Sequence, residues 1–364
     1  MKVYFYLIAF FLFFGQFTKA QCPTSPLTFA NQAQIDAFPS TYPSCTVIPD
    51  GIDVDIMGSN ITDLGPLSQL TSVLGVLEIR NCPLLTNLNG LHNLKSIGND
   101  TLDGFILRQL PLLNSLSALN NLDSIHGEFT IRTCNALTSL NGLNKLKKAY
   151  GSVIVRDNSA LQNLNGLDSL FYIGETLEIV ENPQLSSIAA LSHVNTIVGG
   201  VEGGIFIENN AILSNLTGLG NSLTNVGSNL DITLNGNLNL CNVPSICKYI
   251  ANPPVGATIT ISANKVDCNS QSEVLAKCAL GVNENNTFKS SMRISPNPVS
   301  DHFKIISNDK EVNVEIFDIY GKKISNVILD ENSKYSIANL PTGIYLLKTT
   351  NTKEQQTFTR IVKL

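Results

Sequence analysis

From Val54 to Leu240 the apolar residues recur in one repeated arrangement. Each unit opens with an alternating apolar pair, as in Leu77/Ile79, Phe129/Ile131 and Leu177/Ile179. Such alternation predicts a short strand with one face turned inward. An apolar residue then returns at every third position, as in Leu137, Leu140, Leu143 and Leu146. A period of three fits tight 3₁₀-like turns or extended coil, and not an α-helix at about 3.6 residues per turn. Units start at Val54, Leu77, Phe105, Phe129, Val153, Leu177, Ile205 and Leu230, at spacings of 23, 28, 24, 24, 24, 28 and 25 residues. Most close on glycine, at Gly75, Gly98, Gly127, Gly151, Gly174, Gly199 and Gly227, which reads as the positive φ of a sharp turn. One unit cannot bury its leucines alone, but stacked units can. The pattern therefore predicts a mainly β fold: a parallel solenoid of about eight coils over residues 54–240. Coils ~4.8 Å apart give a rod roughly 35–40 Å long.

Two columns of this repeat carry chemistry. The sixth residue of each unit runs Cys82, Leu110, Cys134, Asn158, Asn182, Asn210, Asn235. It occupies the Asn/Cys place of the leucine-rich pattern, where an inward polar side chain can bond the backbone of the bend. Cys82 and Cys134 fall two coils apart, near ~10 Å, too far for a disulfide that needs Cα atoms within about 7 Å. They are expected as buried free thiols, without the basic neighbour a nucleophile needs. The fourth residue runs Arg80, Arg108, Arg132, Arg156, then Val180, Glu208 and Thr233, and those four are the only arginines between residues 21 and 292. Strand alternation turns this column outward beside Ile106, Ile154 and Phe206. A guanidinium row flanked by apolar side chains suits carboxylates or sulfates on a ligand, so these seven residues form the candidate binding face. Two plainer readings stand beside it: pairing with nearby Glu78 and Asp157, and copying of Arg by repeat duplication.

The ends of the chain have other compositions. Residues 1–20 place Lys2 before the apolar run "VYFYLIAFFLFFG" and small residues at Thr18 and Ala20, the pattern of a secretory signal peptide. Gln21 stands where a lipid anchor on Cys22 would need a small residue. Export permits disulfides. In the cap at 21–53, "ANQAQIDAF" predicts a short helix and Cys22–Cys45 is the natural staple. In the cap at 241–280, "VPSICKYIA" and "SEVLAKC" read as helical pieces, and Cys241, Cys247, Cys268 and Cys278 allow three pairings. Their spacing lacks the paired hooks of a zinc site. Residues 281–292 are a polar linker. Residues 21–288 hold 21 acids against 11 bases, which argues against a nucleic-acid partner.

The segments "TFANQAQIDAFPSTYPSC" and "LEIRNCPLLTNLNGLHNLKSIG" resemble receptor L-domains, the right-handed leucine-rich β-solenoids of receptor ectodomains, and exported bacterial proteins with the same repeat. The resemblance covers about residues 22 to 278, implies a ligand-binding or adhesive module, and brings no catalytic residues. Leu110 departs from its Asn/Cys column. Residues 293–364 read as a small Ig-like β-sandwich of short alternating strands between Pro, Gly and Asn turns. Pro296-Asn297-Pro298, Gly321-Lys322, the Leu340-Pro341-Thr342-Gly343-Ile344-Tyr345 run and the terminal Arg360-Ile361-Val362-Lys363-Leu364 resemble a type IX secretion C-terminal sorting domain. That resemblance implies the type IX machinery as partner, the outer surface of a Gram-negative cell or the medium as destination, and surface lipopolysaccharide as a possible anchor.

No nucleophile, zinc or phosphate-loop motif appears, and the four histidines fall on separate turns or in the tail. The chain is expected to be no enzyme and to need no cofactor or metal. The 28-residue units carry extra segments at "NDTLDG" (99–104) and "GGVEGG" (199–204), four coils apart on one edge, candidate recognition loops. Asp100-Thr101-Leu102, Asp123-Ser124-Ile125 and Asp168-Ser169-Leu170 match a bacterial O-glycosylation acceptor pattern. Two functions follow: a surface ligand-binding or adhesion protein that takes a glycan or protein on the sheet face, or a non-catalytic structural component of the envelope or biofilm matrix.

Overall fold

The computed structural model describes residues 22–200, 203–220, 223, 225–280, 293–306, 312–318, 322–326, 334–351 and 356–364. The signal-peptide segment, the linker, Gly321 and residues 201–202 of the second insertion lie outside them. The described chain separates into two units, residues 1–275 and 276–364.

In the first unit, every apolar pair of the repeat becomes a strand of one parallel sheet. Its order is β1 (Leu27–Phe29), β2 (Val54–Met57), β3 (Leu77–Arg80), β4 (Gly104–Arg108), β5 (Glu128–Arg132), β6 (Val153–Arg156), β7 (Thr176–Val180), β8 (Gly204–Glu208), β9 (Asn229–Thr233) and β10 (Ile259–Ser262). That is two strands beyond the eight repeat units, because each cap donates one: Leu27 pairs with Val54, and Ile259 with Leu230. A second parallel sheet of eight strands, each two residues long, runs from Val47–Ile48 to Asn225–Val226. Where the period of three predicts tight turns, 3₁₀ segments form at Gly65–Leu67, Ser117–Leu119, Ala189–His193 and Thr217–Leu219. The leucines at that period fill the interior: Leu137, Leu140, Leu143 and Leu146 are at most 1% exposed. Stacked in register, Phe105 and Phe129 lie 6.0 Å apart with nearly parallel rings.

The bend after each strand from β3 to β10 is left-handed. Asn81, Gln109, Thr133, Asp157, Glu181, Asn209, Leu234 and Ala263 all have φ between 52° and 61°. Each costs a non-glycine residue about 1 kcal/mol. The ladder offsets it: Asn81 donates its N–H to the Arg108 carbonyl, Gln109 to Arg132 and Thr133 to Arg156. The closing glycines have a different reason from the one expected. Only Gly98 and Gly199 of that column have positive φ, and both stand where a 28-residue unit leaves the common path. The others are glycine for space: a Cβ on Gly174 would lie 1.8 Å from the Tyr150 carbonyl oxygen of the coil below.

The caps hold helices α1 (Gln32–Thr41), with Asn31 accepting from the Gln34 N–H, α2 (Pro244–Ala251), with proline in its first turn, and α3 (Gln271–Leu280). Cys22 bonds Cys45, and Cys241 bonds Cys268. Cys247 and Cys278 are disulfide-bonded as well. Cys82 and Cys134 are buried and free.

The second unit is antiparallel. One sheet orders β11 (Arg293–Ser295), β12 (His302–Ile306) and β15 (Tyr335–Ser336). The other orders β14 (Lys323–Asn326), β13 (Val312–Phe317), β16 (Gly343–Asn351) and β17 (Gln356–Lys363). Phe303 and Tyr335 of the first sheet and Ile316, Leu347 and Ile361 of the second share one apolar core.

Candidate functional site

Strand register brings the four arginines together. Arg80 pairs with Arg108, Arg108 with Arg132 and Arg132 with Arg156 across β3 to β6. The row is real, and it is not a row of free cations. Arg80 grips Asp55 with two bonds, Nε to Oδ1 at 3.1 Å and Nη2 to Oδ2 at 2.7 Å, and lies 3.3 Å from Glu78. Arg108 bonds the other oxygen of Glu78 through Nε. Arg132 bonds Asp157 through Nε at 2.9 Å. Arg156 reaches Glu178 at 3.0 Å, Asp157 at 3.5 Å and Glu181 at 3.6 Å.

These pairings divide the row in two. Arg80 and Arg156 direct terminal guanidinium nitrogens at carboxylates of neighbouring coils. Arg108 and Arg132, more exposed at 40% and 53%, each use only Nε. Among the described residues their Nη atoms make no hydrogen bond. The same two side chains, with Gln109 and Thr133, line a cleft of about 220 Å³. The register thus concentrates the unengaged donors of the face at one place.

The apolar candidates differ from expectation. Ile106, Ile154 and Phe206 are half-buried and not exposed, because each is flanked in register on both sides, as Phe206 is by Glu178 and Asp231. Thr130, between Ile106 and Ile154, is buried and bonds Glu128.

Around Phe206 the charge changes sign. Glu178 and Asp231 sit beside it on β7 and β9, and Glu208 follows it by two residues on β8. Glu178 is engaged by Arg156. Among the described residues Glu208 has no ion pair or side-chain hydrogen bond, and Asp231 Oδ1 is shielded from solvent with no hydrogen-bond partner. Burial, then the charges of Asp231 and Glu178, push the Glu208 carboxyl above its usual range, against the pull of Arg156. A related pair sits by the bend. Burial works against the Asp157 carboxylate, but hydrogen bonds from Glu181 and Arg132 hold it below the usual range. The bond to Asp157 raises Glu181.

The sequence alone does not single out this carboxylate patch, although the alternation of Glu178, Phe206 and Asp231 in one column is its signal. Elsewhere, His126 stacks on Tyr150 at 4.8 Å and Lys148 lies over Tyr150 and Phe171, so those rings are covered by neighbours. Burial pushes the Cys134 thiol up to about 12, which keeps it protonated and unreactive. In the first insertion, Asp103 accepts the N–H groups of Asn99 and Asp100, and Leu102 is 87% exposed. Among the described residues no group of three or more His, Cys, Asp or Glu is placed to hold a metal ion.

In the second unit, the Pro296-Asn297-Pro298 motif ties the chain end. Asn297 donates to the Arg360 carbonyl at 2.9 Å and accepts from the Val362 N–H at 3.0 Å. Asp318 donates its N–H to the Lys322 carbonyl and accepts the Lys322 N–H through Oδ1, while Leu340 packs against the core. Gly343 opens β16, and Tyr345 donates its hydroxyl to the Pro341 carbonyl at 2.7 Å. Residues 293–363 match the family model described as secretion system C-terminal sorting domain. No curated protein and no solved structure matches the chain at a significant level.

Proposed function

We propose that residues 22–278 are a ligand-binding or adhesion module and that the outward face of its long sheet is the binding surface. The premise is the address. The sorting domain at 293–363 makes this a protein secreted by the type IX machinery to the outer cell surface or the extracellular space. Binding is then work for whatever the rigid solenoid displays. The observation that carries the reading is the cleft between Arg108 and Arg132, where two guanidiniums keep their terminal nitrogens unengaged. Planar donors of this kind hold carboxylates or sulfates in two-point contacts. The resemblance of the repeat to receptor L-domains points the same way, and lipopolysaccharide attachment would keep the module at the surface.

A second reading is an inert structural component of the envelope or biofilm matrix. The ion pairing of Arg80 and Arg156 with carboxylates of their own face favours it, since charges already held within the face need no ligand. The two separate in one experiment. Wild type and the double variant Arg108→Gln/Arg132→Gln are compared on a glycan array, on extracellular-protein panels and in cell adhesion. Loss of a bound ligand in the variant, with unchanged melting, supports the binding module. Equal behaviour in every assay, or no binding by either protein, supports the structural component.

A further inference from the structure

The sheet face has two signs, and the second constrains the partner more than the first. Around the Arg row the ion-paired carboxylates are Asp55, Glu78, Asp157, Glu178 and Glu181, five against four guanidiniums. The row therefore has no excess of positive charge with which to attract a polyanion. What it offers is one spot of free donors, between Arg108 and Arg132. Three strands beyond Arg132 in the same column is Glu208; two residues before it on the same strand is Phe206, whose register partner on the next strand is Asp231. Two carboxylates without hydrogen-bond or ion-pair partners among the described residues, beside a half-buried ring, are an acceptor site for an ammonium or guanidinium group, which the ring face would also attract.

Building on the reading of the sheet face as the binding surface, we infer that its partner is an extended polypeptide segment of mixed charge, with an acidic side chain held between Arg108 and Arg132 and a basic side chain held over Phe206 between Glu208 and Asp231. Polypeptide is the chemistry that presents both signs from one flexible backbone. A uniformly acidic glycan would satisfy the first spot and be repelled at the second. Spacing follows from the coil rise. The two spots are four strands apart, about 19 Å at ~4.8 Å per strand. An extended chain advancing ~3.4 Å per residue covers that in about five or six residues. The segment lies across the strands, so its acidic and basic groups sit that far apart in sequence.

The test uses the purified exported protein and four synthetic peptides of equal length, measured by biolayer interferometry at low ionic strength. One carries three Glu and three Lys in blocks whose centres are six residues apart. The second alternates the same residues, the third has Glu only, and the fourth has Lys only. The block peptide is expected to bind at least tenfold tighter than each of the other three. Arg108→Gln/Arg132→Gln and, separately, Glu208→Gln/Asp231→Asn are each expected to weaken it at least tenfold. The second pair removes unpartnered carboxylates, so its melting temperature should hold or rise, and lost binding there is not lost folding. Equal binding of the Glu-only peptide, no binding of the block peptide, or indifference to Glu208→Gln/Asp231→Asn overturns the inference. If an acidic glycan binds through Arg108 and Arg132 while the carboxylate variant leaves that binding unchanged, the sheet face remains the binding surface and the two-signed partner is excluded.

Discussion

Two donors of Asn158 converge on one acceptor of Asn182. The main-chain N–H and the side-chain amide of Asn158 both reach Asn182 Oδ1, each at 3.2 Å. The pattern repeats from Asn182 to Asn210, Asn210 to Asn235 and Asn235 to Asn264. Each amide also donates to carbonyls: Asn182 Nδ2 lies 2.9 Å from Val155 O and 3.0 Å from Val180 O. The ladder satisfies the backbone where the bend breaks the sheet. Replacing Asn182 by alanine should therefore cost about 2–4 kcal/mol, since several buried groups lose partners at once. Asn182→Cys should cost less, because the Cys134 thiol already contacts the Leu107 and Arg132 carbonyls in the same column. Urea unfolding of both variants measures the order.

The arginines should not be equivalent. Arg80→Gln removes a two-bonded partner from Asp55, a pair only about a quarter exposed, and is expected to cost about 1 kcal/mol. Arg132→Gln, at a more exposed single bond, should stay within about 0.5 kcal/mol. Thermal melts of the single variants would show equal losses if the row were uniform, and the reverse ranking if Arg132 were the structural member.

Cys134 makes stability depend on pH. Its thiol rises from about 9 to about 12 through burial, so the folded state favours the protonated form. This contribution is complete below pH 9, where both states hold the proton. It falls as pH climbs toward 12, where only the unfolded chain has released it, by on the order of 4 kcal/mol in all. Cys134→Ala should lose stability less steeply than wild type between pH 9 and 11 in denaturant titrations. A thiol-specific reagent at pH 8 should label wild type only after unfolding.

Of the three glycosylation matches, only Thr101 is free to be modified. It is exposed beside Leu102, whereas the Ser169 hydroxyl donates to the Asn144 carbonyl and Ser124 belongs to a strand of the second sheet. Intact mass of the native protein should show at most one glycan, and Thr101→Ala should remove it. Two or three glycans would contradict this assignment.

Deleting residues 293–364 should hold the protein in the periplasm, because the sorting domain is what the secretion machinery reads. Immunoblots of surface, medium and periplasm fractions decide it. Normal surface display of the truncated chain would separate export from this domain.

Much of this was legible in the chain because a solenoid turns sequence period into spatial neighbourhood. A residue's axial neighbours lie one unit away, so the Asn column and the Arg column could be read as columns. The partners of each Arg were less accessible. Arg80 prefers Asp55, 25 residues back, while Arg156 reaches Glu178, 22 residues ahead. That choice rests on side-chain torsions and on burial, which the period does not encode. Strands β1 and β10 were missed since three or four residues within a cap show too little alternation to count. The closing glycines were assigned to turns when most answer to the approach of the coil beneath, a distance no local pattern carries.

The two described disulfides acquire a meaning from the length of the repeat. Cys22–Cys45 and Cys241–Cys268 span 23 and 27 residues, close to the length of one coil. Each therefore sews a terminal turn of the winding to the turn beside it. A wound thread with loose ends comes apart by peeling, one turn after another, since each inner turn is held only by its neighbours. With both ends stitched, peeling has nowhere to start while the bonds stay oxidised, and the winding must rupture through its middle. For a protein that leaves the cell and meets proteases in the open, that converts resistance to digestion into a question of redox state: mild reduction should shorten its survival well before it changes its shape.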